Sequence, residues 1–248
     1  MNNYKIPVFS LLIIVIGCVF SCKKKNNPVP FSNQKIATVD YTHSGEMEHY
    51  RVVYDQYSNV DSIIRVGDGT ASGNNGSKSF VYLGSSFSIT DETGNSFTVY
   101  ANTSGVILEV LVTDTLIMHY NNNQLSELDT KTPTGTPPYY TLTSVYYNWT
   151  NGDVASFGPM GTTTSAKAYY YDLSKDGQPG DVTRIDDFLT YGRSYIRNTH
   201  LAKGLIIAAD TVENYSYRFD NLGRISKFVK MTNSGGVYDS MVYNYRYY

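Results

Sequence analysis

The chain has 248 residues, including 24 tyrosines, eight prolines and one tryptophan, and its formal net charge is −2. This near-neutral charge removes the electrostatic basis for binding nucleic acid, which requires a basic surface against the phosphates. Tyrosine favours strands, where its ring packs while its hydroxyl stays in water. The composition therefore excludes a helical bundle and predicts an all-β protein with a tyrosine-rich, partly exposed sheet face.

The first 21 residues have the three zones of an export signal. Lys5 gives a positive start, residues 6–17 are apolar, and small residues lead into Cys18 and Cys22. The apolar run is shorter than the roughly 20 residues needed to span a bilayer. Residues 15–18 and 19–22 both resemble the lipobox of bacterial lipoproteins. Hydrophobicity stops after Cys22 but resumes after Cys18, so Cys22 is the predicted lipidation site and Cys18 the second choice; the alternative is an ordinary secretory signal with incidental cysteines.

Cleavage before Cys22 divides the chain into three parts. Residues 1–21 form the lipoprotein signal peptide, residues 22–35 the lipidated cysteine and a flexible tether, and residues 36–248 a single hairpin-repeat domain. The membrane is then a partner through the lipid, since two acyl chains give a firm anchor. Surface-exported lipoproteins often carry acidic residues soon after the cysteine, and this chain has none before Asp40. The prediction is a lipoprotein of the outer membrane, with the periplasmic face favoured over the alternative of the cell surface.

The body of the chain repeats one pattern, in which an aromatic-rich strand and an Asn/Asp/Gly turn are followed by a second strand. The clearest copy covers residues 217–228, and residues 54–63 align with its later part without a gap. Shorter copies cover residues 120–128 and 149–157. Asn, Asp and Gly accept the positive φ of tight hairpin turns, so the pattern predicts an antiparallel meander of β-hairpins. The repeated pattern is absent near residues 181–209, where we expect a short helix or a loop insert.

Residues 217–228, Tyr-x-Phe-Asp-x-Leu-Gly-Arg-Ile-x-x-Phe, resemble the tyrosine-aspartate (YD) repeat of Rhs-type proteins. Together with the lipobox, the chain is similar to uncharacterised Bacteroidetes-type lipoproteins built from such hairpins. The resemblance implies a structural repeat and an envelope location. It supplies no catalytic residues.

A search for chemical motifs finds no catalytic residue, no metal site and no cofactor fingerprint. His43 and His49, with Glu46 and Glu48, could contribute metal ligands, but a strand would space the two histidines too widely for one ion. The residues Asp172, Asp176 and Asp181 lack the spacing of a calcium loop.

The neighbouring carboxylates Asp186 and Asp187 are the remaining candidates for chemistry. A glycosidase needs two carboxylates facing one bond, whereas neighbours on a strand point in opposite directions. A solvated turn or a helix cap is therefore the favoured interpretation of this pair.

An Asp followed by Ser or Thr and an apolar residue occurs four times. This pattern resembles the O-glycosylation sequon of Bacteroidetes envelope proteins, and the predicted acceptors are Ser62, Thr115, Thr211 and Ser240. The alternative is that each motif opens a β-strand, where a polar turn followed by strand-forming residues is expected.

Two functional hypotheses follow. The first is a non-enzymatic envelope lipoprotein that binds a glycan or protein ligand on its tyrosine-rich face, or acts as a scaffold. The second is an envelope hydrolase acting on glycans or peptidoglycan, with Asp186 and Asp187 as the residues to test.

Overall fold

The computed structural model describes residues 34–66, 76–102, 107–111, 114–160, 167–207, 210–234 and 236–248. Cys18 and Cys22 lie outside the described residues. The first eight strands are β1 (Ile36–His43), β2 (Glu46–Tyr54), β3 (Val60–Val66), β4 (Lys78–Leu83), β5 (Ser86–Asp91), β6 (Ser96–Ala101), β7 (Ile107–Leu111) and β8 (Thr115–Asn121). The remaining elements are β9 (Gln124–Pro133), β10 (Tyr140–Thr150), β11 (Asp153–Gly158), β12 (Lys167–Asp176), α1 (Val182–Tyr191), β13 (His200–Ile207), β14 (Asp210–Phe219), β15 (Ile225–Ser234) and β16 (Val237–Tyr247).

The sixteen strands form a closed barrel in which each strand pairs antiparallel with the next along the chain. β16 returns to β1 and closes the barrel, with Val39 opposite Tyr245 and Tyr41 opposite Tyr243. The predicted all-β antiparallel meander is confirmed, and so is a short helix between residues 181 and 209. The sequence did not predict closure: the hairpins form a continuous barrel wall and not an open set of YD-like units.

The inner and outer faces of the barrel wall differ in chemistry. On β5 and β6, the alternate residues Phe87, Ile89 and Val99 point inward and are at most 2% exposed. The residues between them are serines and threonines on the outer face, where Thr90 and Ser96 join their hydroxyls at 2.7 Å. The hydrophobic core therefore lies inside the barrel. The outer face is polar at these positions, and on other strands it also carries exposed apolar side chains such as Val81, Leu83 and Met231.

Three of the turns between strands have the same hydrogen-bonding geometry. The carboxylates of Asp55, Asp91 and Asp220 each accept the backbone N–H groups two and four residues later, at 2.8–3.0 Å. The fourth residue of each turn has positive φ: Ser58 at 70°, Gly94 at 85° and Gly223 at 79°. Two of these turns lie in the aligned repeat copies, so the repeated pattern encodes a turn that the aspartate side chain holds closed.

A second recurring contact ties the two strands of a hairpin at the end opposite its turn. An aromatic residue near the end of the even-numbered strand donates its Oη–H or Nε1–H to a backbone carbonyl at the start of the preceding odd-numbered strand. The pairs are Tyr54–Ile36 (3.1 Å), Tyr82–Val60 (3.0 Å), Trp149–Leu125 (2.7 Å), Tyr171–Val154 (2.9 Å), Tyr217–Ala202 (2.8 Å) and Tyr247–Ile225 (2.9 Å). Five of the tyrosines in the described part of the chain have this structural role.

Residues 177–199, which contain α1, lie across one end of the barrel, called here the helix end. Asp181 is the N-cap of α1 and accepts the backbone N–H of Thr183. Before the helix, Gln178 bonds to both Gly223 and Ile225 in the β14–β15 turn. After the helix, Gly192 takes φ +67°, and any Cβ there would lie 3.0 Å from the ring of Phe80. The segment therefore packs against opposite parts of the inner wall and fills this end of the barrel.

Replacing Tyr171 by Phe tests the aromatic ties. The Tyr171→Phe variant leaves the carbonyl of Val154 without its donor, so the free energy of unfolding should fall by about 1 kcal/mol in urea titrations. Tyr57→Phe is the matched control, since Tyr57 is 76% exposed, and it should change stability by less than about 0.5 kcal/mol. Equal effects of the two substitutions would contradict a stabilising role for the tie.

Candidate functional site

The inner face of the barrel above α1 carries two ladders of stacked aromatic rings, each running across neighbouring strands. In the first, Tyr147, Phe157 and Tyr169 stack with centroid separations of 5.6 and 5.4 Å. In the second, Phe228 stacks between Tyr217 and Tyr243, at 5.2 and 5.5 Å, and Tyr243 contacts Tyr41 at 4.8 Å. The tyrosine-rich sheet face therefore lies inside the barrel, where the first ladder is half-buried and Phe228 and Tyr243 of the second are buried.

Asp186 and Asp187 project from the middle of α1 towards these rings. Tyr243 donates its hydroxyl to Asp186 at 3.0 Å, and both the hydroxyl and the backbone N–H of Tyr195 bond to Asp187. The solvent-accessible surface of Asp186 places it among the exposed residues, although it lies inside the barrel. Water therefore reaches the space above the helix. The prediction that this pair forms a solvated turn or helix cap is wrong, because Asp181 is the cap and the pair faces the lumen.

The lumen changes the acidity of both carboxyl groups. Burial, followed by the charge of the neighbouring Asp186, raises the pKa of Asp187 to about 8. Burial also raises the pKa of Asp186, since the surrounding barrel wall limits hydration even where water reaches the group, while the bond from Tyr243 acts in the opposite direction. At neutral pH Asp187 is therefore largely protonated and can donate a hydrogen bond as well as accept one.

Further charged side chains lie on the inner wall on either side of the acidic pair. Glu213 pairs with Lys230 at 2.9 Å and accepts a hydrogen bond from Tyr215. On β2, Glu48 accepts a hydrogen bond from Tyr50. The lumen thus combines flat aromatic faces, hydroxyl groups and carboxyl groups, which is the chemistry that binds polar ligands with apolar faces.

Comparison with solved structures identifies the fold. The chain is similar to a porin-like protein from Bacteroides uniformis ATCC 8492, with a TM-score of 0.64 and 13% identity over 86% of this chain and 98% of that one. A porin-like protein from Bacteroides vulgatus ATCC 8482 is also similar, with a TM-score of 0.57 and 13% identity over 87% and 99% of the two chains. No protein-family model and no curated protein matches the sequence. At this identity the likeness shows a shared barrel fold.

The predicted glycosylation acceptors all lie on the outer face of the barrel. Thr211 and Ser240 are exposed, and Ser62 and Thr115 are half-buried. Thr115 and Thr211 are the first and second residues of their strands, as the alternative of a strand-opening motif requires. Their modification stays a prediction.

The histidines are arranged differently from the sequence prediction. His43 and His49 do not share a face, because a two-residue turn at Ser44 and Gly45 separates their strands. His43 lies opposite Glu46 on the inner side of the wall, and His49 lies opposite Asp40 on the outer side. Each of the four histidines pairs with an aspartate: His43–Asp239, His49–Asp40, His119–Asp129 and His200–Asp153. The partners lie far apart in sequence or on a neighbouring strand, so spacing along the chain gave no signal for them.

The raised pKa of Asp187 predicts a specific pH dependence of stability. Between about pH 4 and pH 8 the folded protein keeps a proton on Asp187 that the unfolded chain releases, so stability falls as pH rises through this window. Asp187→Asn lacks this proton, so its free energy of unfolding should not fall in this way. Between pH 5 and pH 8 the difference in free energy of unfolding between the variant and the wild type should grow by up to about 4 kcal/mol. Urea unfolding at several pH values measures the difference. Asp61→Asn, at an exposed position, should follow the wild type, and a wild-type slope in Asp187→Asn would contradict the assignment.

Proposed function

We propose that this protein is a non-enzymatic cell-envelope lipoprotein, tethered through Cys22, whose barrel lumen binds a glycan. The observation that carries the proposal is the water-accessible carboxyl group of Asp186 inside the barrel, together with the half-buried ladder of Tyr147, Phe157 and Tyr169 near Asp187. Aromatic rings stack on the apolar faces of sugar rings, and carboxyl groups bond to sugar hydroxyls. The protonated Asp187 and the salt bridge between Glu213 and Lys230 offer both donors and acceptors.

The outer face mixes polar and apolar side chains. A membrane-spanning barrel has an outward-facing apolar band about 25 Å tall. Here the outer face carries the Asp40–His49 and His119–Asp129 pairs among exposed apolar side chains such as Val81, Leu83 and Met231. The ten-residue α1 falls short of the length and apolarity of a bilayer-crossing helix, and the described residues form no other helix. We propose that the lipid attaches the protein to the outer membrane, with the periplasmic face favoured over the cell surface.

Lipidation at Cys22 is tested by substituting each cysteine in the full-length precursor. In a bacterium that processes lipoproteins, the wild type and Cys18→Ala should enter the detergent phase and have the mass of residues 22–248 plus the acyl groups. Cys22→Ala should stay in the aqueous phase without acyl groups, because the acceptor thiol is missing. The reverse result for the two variants would assign the anchor to Cys18, and acylation of neither would overturn the tether.

Ligand binding in the lumen is tested with the full-length protein in detergent, first on a glycan array and then by titration of the strongest oligosaccharide. Asp186→Asn should weaken binding by about 10- to 100-fold, since a hydrogen bond to a charged group contributes about 1.5–3 kcal/mol. Asp61→Asn should bind like the wild type. Absence of any glycan ligand, or binding unaffected by Asp186→Asn, would contradict the proposal.

A hydrolase acting on glycans is the second candidate, and one observation favours it. Asp186 and Asp187 lie together in the lumen, both with a raised pKa, as a general acid requires near neutral pH. The same titration distinguishes the two functions. If the oligosaccharide is cleaved and both Asp186→Asn and Asp187→Asn abolish cleavage, the protein is an enzyme; an intact sugar after long incubation supports binding alone.

A further inference from the structure

The outer face of β8 and β9 carries a cluster of three side chains with metal-binding atoms. His119, Glu127 and Asp129 each place one ligand atom within 4.8 Å of the other two, and Nε2 of His119 lies 3.0 Å from Oδ2 of Asp129. Ligand atoms bound about 2.1 Å from one ion lie roughly 3–3.5 Å apart, so small side-chain rotations bring all three into range. Among the residues that the structure describes, this is the one group of three or more His, Cys, Asp or Glu side chains whose ligand atoms all lie within 4.8 Å of one another.

Strand register brings the three residues together. His119 lies directly opposite Glu127, and Asp129 lies opposite Ile117, two residues before His119 on β8. Alternate residues of a strand share a face, so Glu127 and Asp129 point outward on the same side as His119. The two carboxylates are therefore fixed by strands within the barrel wall and not by a loop.

The neighbouring strand β10 orients both carboxylates. Ser144, which lies opposite Asp129, donates its hydroxyl to Oδ1 of Asp129 and leaves Oδ2 directed towards His119. Tyr146, which lies opposite Glu127, forms a side-chain hydrogen bond with it. Such outer partners fix ligand orientation in metal sites.

The two carboxyl groups of the cluster favour a bound cation. The ligand oxygens of Glu127 and Asp129 lie within 4.8 Å of each other, and two carboxylates this close repel unless a proton or a cation lies between them. The next outward residue of β9, Lys131, places its ammonium group over the ring of Tyr140, 5.5 Å from the centroid. The site thus concentrates negative charge around one imidazole.

We propose that His119, Glu127 and Asp129 bind a divalent transition-metal ion, with Zn²⁺ as the best match. One imidazole nitrogen and two carboxylate oxygens form a ligand set that suits Zn²⁺, and three protein ligands leave positions for water. The site lies on the outer face of the barrel, away from the lumen, so it is independent of the proposed glycan binding. Sequence spacing could not find it, because its ligands converge from two strands.

The experiment titrates Zn²⁺ alone into tag-free, chelator-treated full-length protein by calorimetry. The wild type should bind one equivalent. His119→Ala removes the only nitrogen ligand of the cluster and should weaken binding by at least 100-fold. Ser144→Ala keeps all three ligands and removes one orienting bond, so it should weaken binding by about 10- to 100-fold.

His49→Ala is the matched control, because His49 is also an outer-face histidine paired with one aspartate, Asp40. It should bind Zn²⁺ like the wild type. Urea unfolding of each metal-free variant establishes that the barrel is intact. Absence of stoichiometric binding to folded wild type, or binding that survives His119→Ala, would overturn the proposal.

Discussion

The structure depends on one pairing, that of β1 with β16. A sheet has two edges whose backbone groups lack partners, and such edges invite pairing with other chains. Joining the first and last strands removes both edges at once and converts a sheet with one buried face into a barrel with an interior. The lumen and the enclosed helix both follow from that closure. The backbone bond from Tyr248 to Lys35 at 3.1 Å extends the same seam by one step.

The abundance of tyrosine is a consequence of enclosing so wide an interior. A barrel of this many strands is too wide for aliphatic side chains alone to fill, and wider barrels leave a lumen. Here large rings extend inward from the wall, and residues 177–199 fill the helix end. The hydroxyl groups of several of these rings donate to backbone carbonyls or to the carboxyl groups of Asp186 and Glu213. The same residue type therefore serves packing near the helix end and a polar surface above it.

The sequence predicts local features well and long-range ones poorly. The Asp220 turn, the alternating strands and the helix near residue 185 are encoded by neighbouring residues, so they were predictable. Closure depends on a pairing between strands about 200 residues apart, which no local pattern specifies. Asp186 and Asp187 were misjudged because the helix lies inside the barrel, and a lumen exists only after closure. The His119 cluster depends on register, which sequence alone leaves open.

The aromatic ties have a consequence for how such barrels change size over evolution. Each tie joins an odd-numbered strand to the even-numbered strand that follows it, so a hairpin carries its own fastening at the end away from its turn. An antiparallel barrel in which every strand pairs with its sequence neighbour closes only with an even number of strands. Duplication or deletion of one whole hairpin therefore preserves closure, whereas gain or loss of a single strand does not. The number of strands in such a barrel therefore changes by two at a time, one hairpin at each step.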